Sequence, residues 1–117
     1  MFTKILDIIK PPSGELLTYV SRTLQCQQYM ACAGFITKAP QKELAHEIEY
    51  FARDAKSKKQ PNRYRRLCVL YEIIFGKLPR KVDKKLMDSC ELEEHENWMM
   101  DELRKALKEA RCSNPTT

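Results

Sequence analysis

The chemistry that this sequence can offer is concentrated in its cations. The run Lys56-Ser57-Lys58-Lys59-Gln60-Pro61-Asn62-Arg63-Tyr64-Arg65-Arg66 crowds lysines and arginines around one tyrosine. A second cluster, Lys77, Arg80, Lys81, Lys84 and Lys85, follows after a single apolar stretch. Cations at this density attract phosphates through charge and counterion release, and they need no contact with the bases. The expectation is that Arg53, Lys56, Lys58, Lys59, Arg63, Arg65 and Arg66 are the principal contacts to RNA or DNA phosphates. Lys81, Lys84 and Lys85 would assist them, and Tyr64 would stack on an unpaired base. If Pro61 opens a helix, Arg63, Arg65 and Arg66 stand where a helix dipole disfavours positive charge, which argues for a use that keeps them there. Two competing explanations attach to the same block: a nuclear-import signal, and a surface that is solvated or paired within the fold.

Other chemistries fit less well. Paired zinc ligands favour short gaps, whereas Cys26 and Cys32 are six apart and Cys90 and His95 five apart. Glu43-Leu44-Ala45-His46 has the spacing of a di-iron half-site, but position 92 is leucine and no second Glu-x-x-His follows with Glu91, Glu94 and His95. No glycine-rich phosphate loop, nucleophile elbow or H-E-x-x-H helix occurs. Cys68 lies in the most apolar segment, where burial should raise its pKa rather than activate it. The sequence therefore predicts a chain that is not an enzyme and holds neither cofactor nor metal. Trp98, Met99 and Met100 suggest a different class of function, an adaptable apolar surface for a protein partner or a second copy of the chain.

Charge is not spread evenly over the elements that must carry these groups. Residues 1–52 balance; residues 53–85 hold twelve Lys/Arg against three acids; residues 86–117 hold four against eight. The overall +5 thus conceals a basic centre at +9 and an acidic last third at −4. Such asymmetry works against compactness through self-repulsion, so either the two segments face each other or an anionic partner uses the basic one.

With 117 residues, 43% of them apolar, the chain suits one domain, expected at residues 1–112, with a flexible tail at 113–117. Its apolar runs fall short of the ~18 residues that suggest a bilayer span, and no signal-peptide cleavage pattern follows the first ten residues. Five cysteines, an odd number, fit reduced thiols better than a disulfide framework. The expectation is a cytoplasmic or nuclear protein without membrane contact. Viral, phage and host regulatory origins fit the residues equally.

Apolar residues recur at helical spacing in nearly every segment. A short helix is expected over residues 3–10, stopped by Pro11-Pro12. A second, capped by Ser13, runs over 14–35 with Leu17, Val20, Leu24, Ala31 and Phe35 as its stripe and Gly34 near its end. A third starts at Pro40, buries Leu44, Ile48, Phe51, Ala52 and Ala55, and shows Lys42, Glu43, Glu47 and Glu49 to water. Residues 55–60 read as a loop. A fourth helix opens at Pro61, closes at Gly76 and is apolar almost all round, which makes it the centre of the core. The rest, residues 80–111, reads as one long helix or as two joined near Ser89, with Asp88 and Glu91 as a capping box and Asp101–Lys105 as an i,i+4 pair. Leu92, Met99, Leu103, Ala106 and Ala110 form its inward stripe. The fold class is all-α: four to five helices in a small bundle or orthogonal array, with a long C-terminal helix.

Overall fold

The computed structural model describes residues 11–112; the helix expected over residues 3–10 and the tail at 113–117 lie outside them. Among the described residues the chain is all-helical. Its six helices are α1 (Glu15–Gln25), α2 (Tyr29–Lys38), α3 (Gln41–Ser57), α4 (Pro61–Phe75), α5 (Lys84–Met87) and α6 (Glu94–Cys112). None is long and apolar enough to cross a membrane.

Helix α1 begins after Gly14 rather than at a Ser13 cap. Gly14 has φ +78°, a left-handed conformation that costs glycine little, and a Cβ there would stand 3.1 Å from the Phe51 ring. Having no side chain, Gly14 cannot cap the helix, and a distant residue supplies the acceptor. The backbone N–H of Leu17 donates to Glu47 Oε1 at 2.9 Å, with Glu47 only 5% exposed. Glu47 is therefore not a surface residue of α3 but a buried carboxylate that holds α1 to it. A negative group at a helix N-terminus also suits the dipole.

The helix expected over 14–35 is broken in two. Gln27 adopts φ +58°, Gln28 N–H returns to the Thr23 carbonyl at 2.8 Å, and Gln27 N–H to Leu24 at 3.0 Å. These are the two bonds of a Schellman closure, built on glutamine instead of glycine. The Thr23 hydroxyl donates to the Tyr19 and Val20 carbonyls, a local competition that weakens the last turn. Gly34, expected near the end, sits inside α2 with open space around its Cβ direction. Helix α2 stops instead at Ala39, whose ψ of 155° is the extended conformation imposed by the following proline. Pro40 precedes α3 as its cap residue rather than opening it.

Helix α3 runs two residues past Ala55 into the expected loop, then ends in the same way as α1. Lys59 takes φ +56°, with Gln60 N–H bonded to Ala55 O at 2.9 Å and Lys59 N–H to Lys56 O at 3.1 Å. Helix α4 matches expectation closely: Pro61 is in its first turn, and Gly76, at φ +77°, closes it through a bond to the Glu72 carbonyl. The stretch after Pro79 is two helices, not one. Asp83 caps α5 through its Oδ1 on Leu86 N–H at 3.0 Å, so the expected Asp88–Glu91 box is not the start; residues 88–93 form the connection, and α6 begins at Glu94. In α6 the ion pairs fall at i,i+3, Asp101–Arg104 and Glu102–Lys105, in place of Asp101–Lys105.

Two helix pairings dominate the packing, α2 on α6 and α3 on α4, and α4 also touches α5 and α6. Ile36, Leu44, Ile48, Leu103, Leu107, Val20, Cys32 and Cys68 are sealed from solvent. All five thiols are free; Cys32 and Cys68 are buried, whereas Cys26 and Cys112 are exposed. Burial pushes the Cys32 thiol up and the Cys68 thiol up to about 11, the direction expected for inert core cysteines.

Removing the Glu47 carboxylate should strand the Leu17 N–H inside the molecule. Glu47→Ala is expected to cost about 1–3 kcal/mol in urea unfolding. Glu43→Ala, on the exposed face of the same helix, should cost less than about 0.5 kcal/mol. Equal effects would remove the role assigned to Glu47.

Candidate anion-binding site

The cations of residues 53–85 fall into two groups with different environments. One group is engaged within the fold. Arg63 donates to Asp54 Oδ2 at 2.9 Å and to Gln60 Oε1 at 3.0 Å, and Lys58 pairs with the same Asp54 oxygen at 3.1 Å. Arg66 is held by Glu96 of α6. Arg65 donates to the carbonyl of Met87 at 2.9 Å, at the C-terminal end of α5, with Asp88 3.7 Å away. Lys56 pairs with Asp83 at 3.3 Å. The arginines of the first turns of α4 thus find acids and a helix end around them, which offsets the unfavourable dipole without any ligand.

Tyr64 is also committed. The residue is buried at 4% exposure, and its hydroxyl accepts the Asp83 backbone N–H at 2.7 Å. A side chain so placed has no free face for a base, which corrects the stacking role expected of it. Burial pushes its phenol up, so it stays neutral and keeps this arrangement.

The second group is exposed, and among the described residues no carboxylate pairs with it: Arg53, Lys59, Lys77, Arg80, Lys81, Lys84 and Lys85. Four cations converge on one cleft of about 720 Å³. Arg53 and Lys56 come from the second half of α3, and Arg80 and Lys81 from the connection between α4 and α5. Ala52, Tyr64 and Pro79, all buried, supply apolar lining, and Glu49 is the acid on its wall. Lys81 has φ +56°, so the turn that presents it is tightly bent. The cleft is braced by Asp83, which takes Lys56 on its carboxylate, gives its N–H to Tyr64 and caps α5. Glu49 and Arg80 both act on the Tyr71 hydroxyl; after burial, which dominates, the acid raises its pKa and the cation lowers it.

The structure therefore brings together Arg53, Lys56 and Lys81 of the expected contacts and adds Arg80, which sequence reasoning left out of the contact set. It separates Arg63, Arg65 and Arg66 from them by giving each an internal partner. The apolar set is also redrawn. Met100 is 4% exposed and belongs to the core, while Trp98 is 47% exposed. Trp98 stands edge-on to Tyr29 at 5.9 Å and near His95 at 6.4 Å, and Met30 in α2 is 52% exposed. The unexpected break between α1 and α2 starts a new helix at Tyr29, whose ring meets Trp98. No group of three potential metal ligands occurs among the described residues. No protein-family model matches the chain, and no curated protein or solved structure shows significant similarity to it.

The bracing acids carry a pH signature. The Arg63 hydrogen bond and then the Lys58 contact hold the Asp54 carboxyl below its ordinary range; the Leu86 N–H and then Lys56 do the same for Asp83. Groups depressed in the fold contribute stability that is complete above the unfolded carboxylate value, near 3.9, and is lost as pH falls through the lower folded values. The destabilisation caused by Asp54→Asn should therefore be largest near neutrality and shrink as urea midpoints are taken down through about pH 3. A penalty independent of pH would contradict these pairings.

Proposed function

We propose that this chain is a non-enzymatic accessory protein that binds RNA or DNA through its phosphates. The contact surface comprises the second half of α3, the connection over residues 76–83 and α5. One observation carries the reading: among the described residues, Arg53, Arg80, Lys81, Lys84 and Lys85 remain exposed and without a carboxylate partner, in a fold that pairs neighbouring cations at short range. Unpaired like charges raise the free energy of the compact state, and a polyanion relieves that repulsion on binding. Lys59, at the closing turn of α3, extends the same surface, while Arg63, Arg65 and Arg66 serve the architecture.

The slope of affinity against salt tests this directly. Removing one phosphate-binding cation should flatten the log–log slope by roughly 0.7–0.9. The combined change Arg53→Gln, Arg80→Gln and Lys81→Gln should reduce it by about 2–3 and weaken binding at low salt, while Lys105→Gln and Lys108→Gln on α6 leave both nearly unchanged. Equal slopes for the two variants, measured by gel shift across a salt series, would defeat the assignment of the surface.

The exposed Trp98 and Met30 favour a second reading, a protein-interaction module that uses the outer surface of α2 and α6. Aromatic residues and methionine are enriched at such interfaces. If this surface joins copies of the chain, Trp98→Ala should convert a dimer to a monomer in sedimentation; a sedimentation profile unmoved by the substitution would leave self-association without support.

A further inference from the structure

We infer that the cleft between α3 and the 79–81 turn is a socket for a phosphate monoester, the terminal phosphate of a single-stranded RNA or DNA. This rests on the nucleic-acid reading above and narrows it. The shape of the cleft favours a strand end. At about 720 Å³ the cleft lies inside the roughly 300–1,000 Å³ typical of small-molecule sites, the scale of one nucleotide. A duplex presents its phosphates on a convex surface, which suits a flat or ridged protein face. A strand end can enter a concavity.

The charges converge from two elements. Arg53 and Lys56 are three residues apart on one helix and therefore on one face, while Arg80 and Lys81 come from a separate element that lines the same cleft. A phosphodiester within a chain carries one charge and offers two unesterified oxygens. A monoester carries −1.5 to −2 near neutrality on three acceptor oxygens, and so can be gripped from more than one side. Two arginines in the set provide forked donors suited to phosphate oxygens. Lys56, now on Asp83, supplies a further cation that a stronger anion can share.

The cleft is also preorganised. Pro79 restricts the turn, the left-handed Lys81 fixes how it is presented, and the Tyr64–Asp83 and Lys56–Asp83 bonds tie the turn's far end to α4 and α3. A socket already assembled avoids the entropy of ordering its donors on binding. The lining by Ala52 and Pro79 provides an apolar bed for the sugar, and Glu49 provides an acceptor for a sugar hydroxyl or base amine while repelling a second phosphate beside it.

Fluorescence anisotropy with four probes tests the proposal on the full chain: one labelled single-stranded oligonucleotide with a 5′-phosphate, the same strand with a 3′-phosphate, the same strand with hydroxyl ends, and its blunt duplex with hydroxyl ends. A phosphorylated strand should bind at least about tenfold tighter than the hydroxyl strand, as expected for one or two added charge-assisted contacts. Substituting the exposed pair, Arg53→Gln and Arg80→Gln, should erase that preference with an unchanged circular dichroism spectrum. Lys84→Gln with Lys85→Gln should weaken phosphorylated and hydroxyl strands alike. Equal affinity for the phosphorylated and hydroxyl strands, with salt dependence intact, would overturn the socket and leave the general phosphate-binding reading standing. Failure of every probe to bind would overturn both.

Discussion

A helix that is apolar around most of its circumference must be enclosed, and α4 imposes that requirement on everything else. Tyr64, Leu67, Cys68, Leu70, Tyr71, Ile73 and Ile74 are all buried, so neighbours are needed on several sides. Helix α3 covers one side, α6 another, and α5 closes over the beginning. The same helix starts with Arg63, Arg65 and Arg66, so its neighbours must also bring acids and helix ends to its first turns. They do: Asp54 comes from α3, Glu96 from α6 and the Met87 carbonyl from α5. At the other end Arg111 of α6 donates to the Ile74 carbonyl at 2.7 Å and stabilises the C-terminus of α4. Packing and electrostatics thus select the same partners.

This explains why density of charge along the chain is a poor guide to where a ligand would sit. The densest run, residues 56–66, is largely absorbed by local pairing, and its arginines act as fasteners between helices. The sparser Arg80 and Lys81, on a turn that faces Glu49 as the acid of the cleft wall, are left available. Exposed ion pairs contribute little individually, but each one formed within the fold lowers the local field that a distant phosphate would feel.

Much of the architecture was legible because its signals are local. Pro61 and Gly76 bracket α4 as their backbone constraints require, and the apolar stripe Leu44, Ile48, Ala52 and Ala55 is the buried face of α3. The division of the 14–35 segment was not legible, because its turn uses Gln27 in a conformation usually signalled by glycine, and Lys59 hides the end of α3 in the same way. Glu47 could not be placed from sequence because its partner is thirty residues away, across a helix interface. For the candidate site, the composition marked Arg53, Lys56 and Lys81 among the cations that line the cleft. It could not tell Lys81 from Arg66, since that difference depends on whether Glu96 or open solvent lies opposite.

The contrast between the thiols has a practical side. Cys32 and Cys68 are shut inside the packed helices, while Cys26 and Cys112 lie on the outside. A maleimide or iodoacetamide added to the folded chain would be consumed at once by the outer pair, and by the inner pair only when the core opens. The chain therefore contains its own stopwatch: apart from the half-buried Cys90, the slow phase of alkylation times the opening of the core around Cys32 of α2 and Cys68 of α4, with no cysteine to introduce. The outer pair brings the opposite obligation, since two copies left in air can be joined through Cys26 or Cys112, and a covalent dimer formed that way would imitate genuine self-association.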